Sequence, residues 1–390
     1  MRNADIFIVS DNILSPLGVT TAANFSQLVQ GVSGIRLHDD KALSEQPFYA
    51  ALFGKEDKGG GEYTKFERLL ITSVAAALQG SGIDPADKKT VLIISTTKGN
   101  ISLLEMGVAG EKNEPPSAGN RPGAGPGLTD RIALHTSARL VTEYFGFGAP
   151  AIIVSNACIS GIMAILTGFR LIRSGQYENA VIVGADVISN FILSGFQSFQ
   201  AISSRPCRPF DRDRDGITLG EGAATMILSS QPKYAGGIKV MGGSTSNDAN
   251  HLSAPSRTGE ELGYSIKTAL GQAGLSATDI DFISAHGTAT LYNDEMEAKA
   301  ITLANLQSVP VNSLKGYYGH TLGAAGLIES IVAAHCLKAD LVLPTIGFEQ
   351  PGVSQPLNIC STLLSAPLKN CVKTASGFGG CNAALVLSKP

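Results

Sequence analysis

The sequence predicts an α/β protein built from two similar halves, on three observations. Short runs rich in Ile and Val alternate with longer amphipathic stretches, the pattern of a sheet whose strands are joined by helices. With 390 residues, 44% hydrophobic and 16% charged, the chain can bury a large core or a duplicated unit. A strand leading into a reactive residue and then a helix occurs at IIVSNACISGIMAILTG and again at VNSLKGYYGHTLGAAGLIE. The halves therefore echo each other and divide near residues 240–250, with residues 1–245 forming the first and 246–390 the second.

Strands are predicted at Ile6–Val9, Thr90–Ser95, Ala151–Val154, Ala180–Val183, Ala224–Leu228, Asp281–Ser284, Pro310–Asn312, Val372–Ser376 and Ala384–Leu387. Helices are predicted at Lys65–Gln79, Cys158–Ser174, Glu260–Gln272 and Gly323–Lys338. The stretch Gly107–Gly127, with its GNRPGAGPG run, cannot be regular helix or strand and reads as a loop. Gly59–Gly61, beside Lys55 and Lys58, reads as a second surface loop; no GK[ST] follows, so it is not a phosphate cradle. The glycines of GHTLGAAG at 319–326 miss the dinucleotide-binding spacing.

Charge and cysteine usage exclude several function classes. Thirty-three acidic against 30 basic side chains leave a net charge of -3 and a pI near 6.1, without the basic footprint that nucleic acid requires. The expected partners are small molecules or proteins. Cys158, Cys207, Cys336, Cys360, Cys371 and Cys381 include no CxxC pair and no His at metal-ligand spacing. Neither a metal site nor a disulfide framework is expected, and a reduced cytoplasmic setting fits. MRNADIFIVSDN lacks the features of a signal peptide and reads as a first strand. The apolar region Gly148–Phe169 is interrupted by Ser155, Asn156 and Cys158, so it is read as core and not as a membrane span.

In AIIVSNACISGIMAILTGFRLI a buried-type strand ends at Val154 and a polar turn follows. Cys158 then opens a helix in which Ile162, Ile165, Leu166 and Phe169 recur at helical spacing. At a helix N-terminus the macrodipole and free N–H groups favour a thiolate, which predicts a pKa below the ~8.5 of a free thiol. A lone free cysteine is more often a small core residue. Two other segments change that balance. His286 lies just past a strand end in DFISAHGTATLYND, followed by Thr288 and Thr290; His320 sits between a strand and a small-residue helix, five positions after Lys315. Three reactive residues at strand-to-helix junctions predict convergence at one edge of the sheet.

VSNACISG, PFDRDRDGITLGEGA, AHGTATLYND, NSLKGYYGHTLGAAGLIE and ASGFGGCNAALVLSK resemble, in order and spacing, the motifs of elongating β-ketoacyl-ACP synthases over nearly the whole chain. The resemblance implies a thiolase-like fold, two similar halves in a five-layered αβαβα arrangement, normally dimeric. It implies that Cys158 takes an acyl chain from a carrier-protein thioester. His286 and His320 would stabilise the enolate released when a malonyl unit decarboxylates, with Lys315 orienting His320. The N–H groups of Cys158 and Phe378 would form an oxyanion hole, and Phe378 would also act as a gate. Thr288, Thr290 and Gly379 would bind substrate, Asp294 and Glu297 would support the Lys315/His320 region, and no cofactor would be needed beyond the phosphopantetheine of the acyl carrier protein. Such a protein pairs with itself, or with a related ketosynthase or chain-length-factor subunit.

The chemistry asks for these residue types. Thioester exchange needs a soft nucleophile that is also a good leaving group, and two imidazoles can donate to the oxygen that gains charge on decarboxylation. The glycines flanking Phe378 allow close approach of the backbone. The alternating charges Arg212-Asp213-Arg214-Asp215 read as a salt-bridged anchor, with Glu221 in the same scaffold. An acidic carrier predicts a basic entrance, for which Lys65, Arg68, Arg205 and Arg208 are candidates.

Two departures from the family pattern border the acyl pocket: Leu291-Tyr292-Asn293-Asp294 where relatives have Pro-x-Gly-Asp, and Ser155-Asn156-Ala157 before the nucleophile. The pathway, whether fatty acid, polyketide or aryl polyene, stays open. The alternative reading is a non-catalytic chain-length-factor-like partner, but such proteins usually lack the nucleophile present here at Cys158. A starter-type synthase or thiolase is the third reading, prompted by Cys381 in GFGGCN and opposed by Lys315 and His320.

Overall fold

The computed structural model describes residues 5–54, 62–105, 129–251 and 253–390. The two glycine-rich segments singled out above lie outside the described residues.

Ten strands form one continuous hydrogen-bonded sheet system. They are β1 (Phe7–Leu14), β2 (Thr90–Ser95), β3 (Ile152–Val154), β4 (Asn179–Asp186), β5 (Gly222–Ser229), β6 (Lys239–Asn247), β7 (Phe282–Ser284), β8 (Val311–Asn312), β9 (Asn370–Gly377) and β10 (Cys381–Ser388). Their order is β3-β2-β4-β5-β1, continued by β6-β10-β9-β7-β8. Each strand of the first five thus has its counterpart five places later in the chain. The pairing senses repeat too: β2 is parallel to β3 and β4, β7 is parallel to β8 and β9, and the remaining neighbours are antiparallel in both halves.

The six longest helices among the described residues obey the same rule. They are α1 (Lys65–Leu78), α2 (Leu134–Phe145), α3 (Ser160–Arg173), α4 (Glu260–Ala273), α5 (Leu291–Leu303) and α6 (Ala325–Ala339). α1 packs on β1, β4 and β5, while α4 packs on β6 and β10 and against α5. α3 and α6 touch each other and strands of both halves, so they form a middle layer between two sheets. This is the five-layered αβαβα arrangement. The topological repeat breaks between Ser229 and Lys239, and residues 245 and 246 both lie within β6.

Sterics fix the middle layer. A Cβ on Gly161 would stand 2.4 Å from the Leu327 nitrogen, and one on Gly326 would stand 2.9 Å from the Ile162 nitrogen, so α3 and α6 cross at backbone contact. α6 is buried on nearly every side, as a helix enclosed by two sheets must be. The stretch Leu322–Ala339 is long and apolar enough to cross a membrane, but 83% of it is buried inside the protein. Its apolarity belongs to the core.

Two elements escape a periodicity argument. β6, KVMGGSTSN, lacks an Ile/Val run because α3 presses on it: a Cβ at Gly243 would lie 2.4 Å from Leu166. α5 buries Asn293, Asp294 and Glu297 alongside Met296 and Ile301, so no apolar stripe marks it.

Candidate active site

Cys158, His286 and His320 converge: the Cys158 sulfur and a ring nitrogen of each histidine all lie within 4.8 Å of one another. Each arrives from the C-terminal end of a strand, β3 for Cys158, β7 for His286 and β8 for His320. The His286 and His320 rings meet edge to face, with centroids 5.1 Å apart. They border a cavity of about 280 Å³ whose lining includes Cys158, both histidines, Thr288, Thr290 and Phe378. Gly379, by contrast, faces open space beside that lining, at φ +86°.

The turn that presents Cys158 is tight. Ala157 adopts φ +44°, and Ser160 Oγ accepts the Asn156 N–H at 2.8 Å while donating to the Ala157 carbonyl at 2.6 Å. Gly377 makes room for it, since a Cβ there would lie 2.9 Å from the Cys158 nitrogen and 3.0 Å from Cys381 Sγ. The helix begins at Ser160, two residues later than predicted. This corrects the thiolate argument. Burial dominates, and with the neighbouring Cys381 it pushes the Cys158 thiol up to about 12, although Lys315 and the Phe378 N–H pull it down. A buried thiol gains little from a helix end that starts beyond it.

Phe378 brings its backbone N–H to Cys158, as an oxyanion-hole donor would. Its ring, 38% exposed, stacks on Phe196 at 5.7 Å and meets Phe199 edge-on at 5.6 Å. An aromatic hairpin tip therefore stands over the nucleophile.

Burial holds both histidines well below the ordinary imidazole pKa, and the positive charges of Lys315 and Lys373 add to the effect. They are neutral near pH 7. Both ring nitrogens of His320 and Nδ1 of His286 are buried without a hydrogen-bond partner among the described residues. Buried imidazole N–H groups without partners are costly unless a ligand meets them.

The supporting shell differs from expectation. Lys315 was predicted to orient His320, but its ammonium donates to the His286 carbonyl at 3.0 Å and pairs with Glu329. His320 is held through its backbone instead: its N–H donates to the Thr218 carbonyl at 2.7 Å and its carbonyl accepts from the Gly220 N–H at 3.0 Å. Only glycine fits at 220, where a Cβ would lie 1.9 Å from the Tyr318 oxygen. Asp186, from the end of β4, steadies the following turn by accepting the Gly323 N–H at 2.7 Å.

Glu297 and Asp294 serve the other histidine. Glu297 accepts the N–H groups of His286 and Gly287, both at 2.8 Å, and the Thr374 hydroxyl at 2.6 Å. Asp294 accepts the N–H groups of Phe210 and Ala289 and faces Arg214 at 3.9 Å. They brace the His286 loop and not the Lys315/His320 region, because α5, which carries them, follows directly on that loop. Sequence reading missed Lys373, Glu329, Asp186 and the Thr218–Gly220 clamp; an acidic or basic residue inside an apolar strand or helix was the available signal for the first two.

The charged runs are scaffold. Arg214 is buried and donates to the Asp211, Gly352 and Leu291 carbonyls, while Glu221 holds Lys65 and the N–H groups of Phe53 and Ile188. The expected basic entrance is largely spent in the same way. Lys65 pairs with Glu221, Arg208 with Asp211 and Glu349, Arg205 grips the Asp213 carbonyl, and Arg68 donates to the Tyr63 carbonyl.

Comparison with known proteins places this arrangement. The profile of the beta-ketoacyl synthase N-terminal domain matches residues 3–233, and that of the C-terminal domain matches residues 238–349. The chain belongs to the beta-ketoacyl synthase family. This ketosynthase is 28% identical to 3-oxoacyl-[acyl-carrier-protein] synthase 2 of Vibrio cholerae, over all of both chains. It is also 28% identical to the ketoacyl synthase alpha subunit of the tetracenomycin polyketide synthase of Streptomyces glaucescens, over 99% of this chain and 97% of the relative. Among solved structures, the ketosynthase ApeO in complex with its chain length factor ApeC, from Xenorhabdus doucetiae, gives a TM-score of 0.87 at 26% identity, covering 99% of this ketosynthase and 98% of that chain. The ketosynthase is a condensing acyltransferase with the thiolase-like fold of its relatives.

Proposed function

We propose that Cys158 carries the growing acyl chain while His286 and His320 manage decarboxylation, in a two-carbon extension that uses malonyl units on an acyl carrier protein. The close approach of one thiol and two neutral imidazoles in a single cavity carries this reading.

In the first half, Cys158 Sγ bonds to the acyl carbonyl and the carrier thiol leaves with the proton that Cys158 gives up. The N–H groups of Cys158 and Phe378 receive the oxyanion of the tetrahedral intermediate. In the second half, the bond between the malonyl carboxylate and its α-carbon breaks, CO₂ departs, and the electron pair becomes an enolate whose oxygen accepts hydrogen bonds from both imidazoles. Neutral imidazoles suit this, since each keeps one N–H to donate. The enolate carbon then attacks the Cys158 thioester, the sulfur leaves, and the product is a β-ketoacyl carrier thioester two carbons longer. Thr288 and Thr290, with hydroxyls 3.0 Å apart on the cavity wall, are placed to meet the amides of a pantetheine arm.

A chain-length-factor-like second subunit, as in the ApeO–ApeC complex, is the proposed partner; a second copy of this chain is the other option. β3 is a three-residue edge strand on which Ile152 and Ile153 are half-buried, a place where a partner sheet can pair. Six buried free thiols favour a reduced, cytoplasmic setting.

The test is mass spectrometry after incubation with acyl carrier proteins bearing chains of varied length and unsaturation. Acylation located at Cys158 and lost in Cys158→Ala supports the reading; no acylation by any carrier-linked chain overturns it.

A further inference from the structure

The mechanism above makes no use of Lys373, although its side chain is fully buried one strand away from the histidines. It lies on β9, in register with Ser284, the last residue of β7. Its ammonium donates to the carbonyls of Ser284 at 3.0 Å, Ala285 at 3.0 Å and Thr374 at 2.7 Å. Three N–H groups are thereby used, the full capacity of a lysine. Glu329 Oε2 stands 2.8 Å from the same nitrogen, a fourth acceptor around an ammonium with three donors. Glu329 is a counter-ion shared by Lys373 and Lys315.

We propose that Lys373 is a positioning residue for His286, holding the last two carbonyls before it so that its imidazole meets His320 across the cavity. Both backbone groups of His286, the two carbonyls before it and the N–H after it then meet buried charges, while the Ala285 N–H pairs with the Asn312 carbonyl. Lys373 takes the carbonyls of 284 and 285, Glu297 takes the N–H groups of 286 and 287, and Lys315 takes the carbonyl of 286 itself. Burying an ammonium is expensive, and a strand needs none for its own ladder, so a lysine that gives two of its three donors to the strand end leading into a catalytic loop is placed for geometry. The charged groups facing the pair are Lys315, Lys373, Glu329 and Glu297, two of each sign, so removing Lys373 also changes the field at both imidazoles.

The proposal rests on the assignment of His286 to decarboxylation, and the test separates the two. Wild type, Lys373→Met and Lys373→Gln are compared in two assays: acylation of Cys158 by an acyl carrier protein, and release of CO₂ from malonyl carrier protein. Met fills the space and removes every donor; Gln keeps two N–H groups without the charge. In Lys373→Met we expect acylation within about twofold of wild type, with kcat for decarboxylation lowered at least tenfold at nearly unchanged KM and its acid limb moved to a different pH. Lys373→Gln should recover part of that kcat. Unchanged decarboxylation in Lys373→Met overturns the proposal, as does a loss carried only by KM. An equal loss of both half-reactions in both variants overturns it as well, since Lys373 would then serve only the fold. If wild type itself releases no CO₂, the assignment of His286 fails independently of Lys373.

Discussion

His286 turns the edge of its ring toward the ring of His320, with an interplanar angle of 82° and centroids 5.1 Å apart. Both His320 ring nitrogens and His286 Nδ1 have no hydrogen-bond partner among the described residues, so the two rings do not bond to each other through them. Their free nitrogens are left for a third party, and both rings border the cavity.

Replacing either histidine with Ala should therefore slow condensation by roughly 10²–10³ in kcat, the usual cost of one oxyanion donor. Acylation of Cys158 should be spared by comparison. Following acyl-enzyme mass and CO₂ release side by side checks this; equal loss of both would deny the division of labour.

The buried Cys158 thiol, raised to about 12, should alkylate without a plateau. Below its pKa the thiolate fraction grows about tenfold per pH unit, so the rate constant for iodoacetamide should keep climbing between pH 7 and pH 9. A plateau below pH 9 would mean that a neighbour stabilises the thiolate far better than Lys315 and the Phe378 N–H do.

Gly161→Ala should strike the fold before the chemistry. The new methyl group would sit 2.4 Å from the Leu327 nitrogen, which is backbone and cannot swing away. A destabilisation of about 1–3 kcal/mol is expected, read as a lower denaturation midpoint with an unchanged slope.

Phe378→Ala should leave stability close to wild type, since the ring is 38% exposed, while changing turnover. Removing the ring unstacks Phe196 and Phe199 and opens the path over Cys158. Steady-state kinetics should show a fall in kcat for condensation together with faster hydrolysis of acyl-Cys158 by admitted water. An unaltered hydrolysis rate would rule out a gate.

The reactive residues were legible because each lies past the end of a predicted strand, with glycine or other small residues close by. Their places at strand-to-helix junctions pointed Cys158, His286 and His320 toward one edge, and the structure joins them. The failures have one cause, which is burial. A helix start near Cys158 argued for an acidic thiol, but position along the chain does not report loss of water. Lys315 stands five residues before His320 and was assigned to it, yet its ammonium folds back to His286. Lys65 and Arg208 looked like free surface cations until their acidic partners, 156 and three positions away, came beside them. Lys373 was passed over inside an apolar strand, where a charge was least expected.

The i to i+5 correspondence of the strands has a consequence for the reaction itself. Cys158 follows β3 and His320 follows β8, which are equivalent strands of the two halves, and the glycines at 161 and 326 bring the helices behind them into contact. On the proposed mechanism one copy of the motif holds the acyl group and the other handles the carbanion. The site therefore draws on both halves, and how near its two contributions stand depends on how closely two glycines let the copies lean together.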